Sequence, residues 1–168
     1  MKSVTLFAAI AAAAVLAACG GETPAAANHG DDALPNGMTV KQQIEVRQKN
    51  LKDLGAAMKT AGDQLKSSAP SLKDIRPAVQ TIKTHAAEIG TWFPAGTGPE
   101  SGVETEALSR IWEDQPGFQA AAQRLGEEAN KLSDIATGDD LAATGAQVGA
   151  VGAACKNCHD NYRQKKKD

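Results

Sequence analysis

The chain is 168 residues long, enough for one domain and a leader, and its 18 basic and 20 acidic side chains leave a formal net charge of −2. So small an imbalance excludes nucleic-acid binding through a basic surface. Aromatic residues make up only 4% of the chain, alanine is abundant and β-branched runs are almost absent, a composition that points to helices rather than sheets.

Met1 to Ala18 carries one charge, Lys2, and is almost wholly apolar from Val4 onward. The run stops at Leu16-Ala17-Ala18-Cys19-Gly20, too short for a comfortable membrane span, so residues 1–18 read as a secretory signal. Small residues before Cys19 suit cleavage there. A cysteine just after the cut, followed by glycine, resembles a bacterial lipoprotein signal, in which the thiol takes a lipid and becomes the new N-terminus. The alternative is an ordinary secretory signal cut elsewhere; both readings export the chain. Gly20 is not an inner-membrane retention signal, which leaves the outer membrane preferred. Without the leader the count is 17 basic against 20 acidic side chains. Residues 19–37, rich in alanine, glycine and proline with no apolar period, read as a flexible tether in which His29 is unstructured.

Residues 38–168 are one domain's length. Val40, Ile44, Arg47, Leu51, Leu54, Met58, Ala61 and Leu65 form an inward stripe at helical spacing, so a first helix is expected from Thr39 to Lys66, ended by Ser67-Ser68-Ala69-Pro70. Ser71 and Asp74 resemble a capping box for a second helix through Val79, Ile82, His85, Ala86 and Ile89, with Pro77 moving its regular part to start nearer Ile75. A Pro- and Gly-bearing loop follows over 91–102, with a short helix expected from Glu104 to Trp112. Pro116 opens a third helix carrying Phe118, Ala122, Leu125, Ala129 and Leu132, and Asp139 or Asp140 starts a fourth. Two short links and one long one make an antiparallel four-helix bundle the economical all-α answer.

The fourth helix ends on Cys155-Lys156-Asn157-Cys158-His159. C-x-x-C-H is the attachment signature of a c-type haem: each thiol can add to a vinyl group, and the histidine can place an imidazole nitrogen on the iron. On a helix, spacings of three and four put Cys155, Cys158 and His159 on one face. The same residues could form a redox dithiol, half a zinc site or a disulfide. A thioredoxin-like dithiol wants a βαβ context, and a zinc site wants a second ligand pair, for which only His29 and His85 remain, without ligand-like spacing. Covalent haem attachment is an extracytoplasmic process in bacteria, in accord with an exported chain. Lipid for Cys19 and haem for Cys155 and Cys158 leave no odd thiol. Gly145, Gly149 and Gly152 precede the motif at about 1 kcal/mol each in a helix interior. Either a planar ligand or a neighbouring helix lying close to the backbone would explain them. The basic tail Lys165-Lys166-Lys167 reads as a solvated end.

Taken in order, these residues resemble the cytochrome c′ family, the class II c-type cytochromes, over nearly the whole domain. The family's opening helix has an arginine, a following glutamine and an apolar or methionine position four residues after the arginine; here these are Arg47, Gln48 and Leu51. Its crossover is matched by Trp92-Phe93, Gly96-Thr97, Thr105-Glu106-Ala107 and Ile111-Trp112, then Phe118. Its end is matched by Val151-Gly152, Cys155, Cys158, His159, Tyr162 and Arg163.

The resemblance implies one covalent haem c with His159 as the fifth iron ligand, Leu51 over the iron's other side, and Arg47, Gln48, Thr105 and Glu106 around the haem edge and its propionates. Leucine has no lone pair to offer, so the implied iron is five-coordinate, high-spin and open to nitric oxide, carbon monoxide or another diatomic gas, with electron transfer as a compatible role. The alternative is a six-coordinate, dedicated electron carrier with a methionine ligand. Met58, one heptad beyond Leu51 and about 10 Å along the axis, is the candidate, and the two cannot both cover one iron. His85 is a weaker one. An enzyme such as a peroxidase would need a polar distal residue, which the stripe around Leu51 and Leu54 does not offer, so the expectation is a non-enzyme. The expected partners are the gas, a periplasmic redox protein and a second copy through the first two helices. The expected location is the periplasmic side of a Gram-negative membrane, held by lipid alone.

Overall fold

A computed structural model describes residues 28–165. The expected leader, Cys19, the first part of the expected tether, and Lys166 and Lys167 lie outside the described residues.

The described chain is all-α, with helices α1 (Val40–Lys66), α2 (Leu72–Glu88), α3 (Arg110–Glu113), α4 (Gln115–Ile135) and α5 (Leu141–Tyr162). The four long ones form the antiparallel bundle, while α3 is a single turn in the crossover. Among the described residues no helix is long and apolar enough to cross a membrane.

Helix ends follow from local chemistry. Thr39 caps α1 by a reciprocal box: its Oγ1 accepts from Gln42 N (3.2 Å) and its own N–H donates to Gln42 Oε1 (2.9 Å). Asp114 caps α4 by accepting from Gly117 N, with Pro116 in the first turn where a missing N–H costs nothing. Asp140 caps α5 by accepting from Ala143 N. The box expected at Ser71 does not form: Ser71 is the N-cap, but its side chain makes no capping bond, and its N–H donates to Gln64 Oε1 at the end of α1. Helix α2 runs from Leu72 straight through Pro77, which is exposed, so the hydrogen bond it forfeits faces water.

The core is formed where the four stripes meet. Ala61 of α1, Ile75 and Ile82 of α2, Ala129 and Leu132 of α4 and Val151 of α5 are buried together. A second cluster of Ile111, Phe118 and Tyr162 closes the crossover end, with Phe118 edge-on to Tyr162 and to Phe93. The Tyr162 hydroxyl donates to Asp114 Oδ2 (2.9 Å), so one aspartate both caps α4 and docks the end of α5.

Two segments depart from expectation. The helix expected from Glu104 to Trp112 is reduced to one turn from Arg110. Before that turn the backbone is extended and paired with the end of α5: Leu108 N donates to Tyr162 O (3.0 Å), Gln164 N to Glu106 O (2.7 Å), and Ala107 bridges Arg163. Residues 28–37, expected to be part of a free tether with His29 unstructured, are folded onto the domain instead. His29 N donates to Ser101 O (2.9 Å), and a turn over 34–38, with Gly37 at φ 83°, brings Ala33 beside Thr39.

Candidate haem site

Helix α1 packs on α2, α2 on α4 and α4 on α5, while of the neighbouring pairs α1 and α5 approach each other least, leaving a looser seam. Each of these two helices carries half-buried apolar side chains one heptad apart, packed against the main core: Leu51, Met58 and Leu65 on α1, Leu141, Val148 and Cys155 on α5. On α5, a Cβ placed at Gly145, Gly149 or Gly152 would meet no heavy atom within 4 Å. Close helix–helix contact is therefore not what selects these glycines. Their backbone is open to a flat group.

Cys155 and Cys158 are free thiols, both half-buried, Cys155 against the main core and Cys158 against the Ile111, Phe118 and Tyr162 cluster. Burial pushes the Cys155 thiol up; burial, with Cys155 adding to it, pushes Cys158 up to about 11. Both are protonated at neutral pH, unlike the low-pKa thiols of redox motifs. Among the described residues no group of three or more His, Cys, Asp or Glu side chains is placed to hold a metal ion by itself, which removes the zinc reading. His159 sits in the last turn of α5, and its carbonyl accepts from Arg163 N (3.2 Å). Burial and Arg163 lower its pKa against Asp160 and Glu106, a shift in the direction of the neutral imidazole that ligates metal.

Arg47 is only 1% exposed. Its Nη1 donates to Thr97 Oγ1, and its Nη2 to Thr97 O and Thr105 Oγ1, each at 3.0 Å. The guanidinium carbon lies 4.6 Å from the centre of the Phe93 ring. None of these bonds goes to a carboxylate. Burial pushes the guanidinium down to about 10, with Glu100 opposing. A buried, planar cation with donors to spare is a site for a carboxylate. Gln48 Nε2 donates to Glu104 O (3.0 Å), so Arg47 and Gln48 together hold the crossover strand. The loop reaches Arg47 through a close approach at Gly98, where a Cβ would lie 2.8 Å from Trp112 Cζ3.

Of the residues expected at the haem edge, Arg47, Gln48 and Thr105 are brought together. The Glu106 carboxylate is paired with Arg163 Nε at 3.6 Å. Thr97 and Phe93, the main partners of Arg47, were not expected in that role, though both lie in the Phe and Gly-Thr motifs of the crossover. His85 stacks edge-on against Trp92 at 5.6 Å, and its buried Nδ1 has no hydrogen-bond partner.

The family profile described as Cytochrome C' matches residues 42–163. The chain belongs to the cytochrome c′ family. Cytochrome c′ of Pararhodospirillum photometricum is 30% identical over 122 residues, 72% of this chain and 95% of that one. Cytochrome c′ of Rubrivivax gelatinosus is 40% identical over 70 residues, 42% of this chain and 54% of that protein, so the match spans about half of that relative's length. Two solved forms of cytochrome c prime from Alcaligenes xylosoxidans, one ferrous with bound nitric oxide and one with bound carbon monoxide, are each 30% identical with a TM-score of 0.67. They cover 76% of this chain and 97% and 98% of theirs.

The cytochrome c′ family carries a covalently bound haem c. The residues present fit that group on their own terms: two half-buried protonated thiols, a histidine directly after the second, an open glycine backbone, an apolar seam and a buried arginine with no hydrogen bond to a carboxylate.

Proposed function

We propose that Cys155 and Cys158 hold one haem c by thioether bonds, that His159 is its axial ligand, and that Leu51 shields the opposite side of the iron. The haem supplies an iron that can bind a small gas and exchange an electron. Leu51 offers no lone pair and leaves that side five-coordinate, while the apolar seam around it excludes water. Arg47 binds the propionate edge with its remaining donors, and Gln48 and Thr105 orient it.

One observation carries the choice of Leu51 over Met58. The strand Thr105–Ala107 joins Arg47 of α1 to Arg163 at the end of α5. Leu51 lies one turn after Arg47 and His159 one turn before Arg163, so the same crossover segment is tied near Leu51 on α1 and near His159 on α5. Met58 lies two turns further along α1 from that tie. The reading is thus a five-coordinate haem protein that binds nitric oxide or another diatomic gas, with electron exchange with a periplasmic partner as a compatible role. It is read as a carrier rather than an enzyme, since leucine at position 51 offers no polar group to assist bond cleavage.

Leu51→Met tests it. The substitution conserves volume, so the fold is kept. It is expected to give a low-spin absorption spectrum and to weaken carbon monoxide binding by about tenfold or more, since a thioether must be displaced first. A spectrum and gas affinity equal to the parent's would put Leu51 away from the iron and favour Met58 as an internal ligand.

The protein is proposed to work on the periplasmic side of a Gram-negative membrane as a homodimer through α1 and α2. Its anchor would be a lipid on Cys19, the outer membrane being preferred. Cys19→Ser is expected to move the haem protein from the membrane pellet to the soluble fraction. Retention in the pellet would rule out the lipid anchor.

A further inference from the structure

The family match begins at Gln42, yet the chain is already folded at Asn28. We infer that residues 28–39 are a clasp, outside the family match, that grips both ends of the crossover and so positions the loop that holds Arg47. Three sets of contacts carry this. First, the clasp caps α1: Val40 N donates to Asp32 O (3.0 Å) and Lys41 N to Gly30 O (2.9 Å), while the reciprocal box of Thr39 and Gln42 satisfies the N–H groups of both. The four donors from Thr39 to Gln42, normally orphaned, are all satisfied, and the clasp is thereby fixed to the helix that carries Arg47. Second, it holds the far end of the crossover. His29 N donates to Ser101 O, and the Ser101 hydroxyl in turn bonds Gly98 O (2.7 Å) and Val103 N (3.3 Å). Third, it reaches the near end through one buried glutamine: Asn36 Nδ2 donates to Gln43 Oε1 (2.9 Å), and Gln43 Nε2 to Trp92 O (3.3 Å).

Between those two ends lie Phe93 and Thr97, and just beyond lies Thr105, the three partners of Arg47. Fixing the loop fixes the guanidinium. The chain that leads to Cys19 therefore enters the domain through contacts that set the haem-edge arginine, rather than through a slack link. The critical fit is at Gly30, which is buried: a Cβ there would stand 3.1 Å from Val103 Cγ2 and 3.0 Å from Asn28 Oδ1. Any side chain here pushes Val103 and Asn28 back, and a branched one pushes the clasp off the crossover.

The part of this inference that concerns the haem rests on the proposed function; the part that concerns Arg47 does not. The test uses the full-length, haem-loaded protein and Gly30→Val, with Asn36→Ala as a milder variant that removes only the near-end tie. Hydrogen exchange of the Ser101 and Val103 amides and of the Arg47 guanidinium is expected to quicken about tenfold in Gly30→Val and severalfold in Asn36→Ala, with Ile82 and Ala129 unchanged. The reduction potential is expected to fall, because a hydrated Arg47 stabilises the ferrous state less, and the fall should vanish when Gly30→Val is made in an Arg47→Gln background. Unchanged exchange at Ser101 and Arg47 in both variants would overturn the clasp. A fall in potential that persists without Arg47 would overturn its positioning role. Should the parent protein hold no covalent haem, the proposed function fails, while the exchange comparison still decides the clasp.

Discussion

His159→Ala is expected to leave the haem attached and the fold intact but to change the ferric absorption spectrum grossly. The attachment belongs to Cys155 and Cys158, which the substitution does not touch. The helix does not depend on the imidazole either: His159 contributes its carbonyl to Arg163 N, a bond that alanine makes equally well, and alanine favours a helix. The far-ultraviolet circular dichroism should therefore match the parent's. The loss falls on the iron, which keeps no protein ligand at all if Leu51 covers its other side. Imidazole added in solution should then restore much of the parent spectrum. A His159→Ala protein with an unaltered spectrum would mean that another residue ligates the iron, and His85, with its unpartnered Nδ1, would be the first to examine.

Arg47→Ala is expected to carry a larger stability cost than any single substitution among the crossover residues that Arg47 holds. Three charge-assisted hydrogen bonds are lost, Thr97 O and two threonine hydroxyls lose their donor, and a void opens over the Phe93 ring. Buried polar groups stripped of a partner and a cavity of this size together cost about 3 kcal/mol, or a fall in melting temperature of about 10 °C. Arg47→Lys should recover little of it, because a single ammonium cannot replace a planar fork that reaches Thr97 and Thr105 at once. The sign of the pH dependence also follows. The folded guanidinium titrates at about 10, below its ordinary value, so folding is disfavoured by the buried charge everywhere below that value and relieved only as pH rises through it. Across the neutral range the difference between the parent and Arg47→Ala should accordingly be flat. A melting temperature within a degree or two of the parent's would show that the crossover does not depend on Arg47.

Much of this architecture is legible in the sequence wherever the deciding interactions are local. The α1 stripe from Val40 to Leu65 and the fourth-helix start at Asp140 are read from spacing and a cap within one turn. The haem motif is equally local, three residues on one helical face. What is not legible depends on partners distant in the chain. Glu104 to Ser109 has helix-compatible residues, yet its Thr105 hydroxyl is taken by Arg47, 58 residues earlier, and the Ala107 backbone by Arg163. A helix there would forfeit both. Residues 28–37 have a linker's composition because most of the bonds that dock them are made by backbone groups: the carbonyls of Gly30 and Asp32 and the N–H of His29 carry no side-chain signature, and Asn36 alone reaches Gln43 through its side chain. Ser71 looks like a cap by its neighbours, but Gln64, one link back, already holds its N–H. The pairing of Glu106 with Arg163, 57 residues on, is likewise not visible in local spacing.

The visible absorption spectrum of the reduced, purified protein, recorded before and after carbon monoxide, distinguishes an iron ligated by His159 and open beneath Leu51 from a closed one. A broad high-spin spectrum that shifts on adding the gas is expected. A sharp low-spin spectrum indifferent to carbon monoxide would rule the open site out and would mean an internal sixth ligand, with Met58 the first residue to replace.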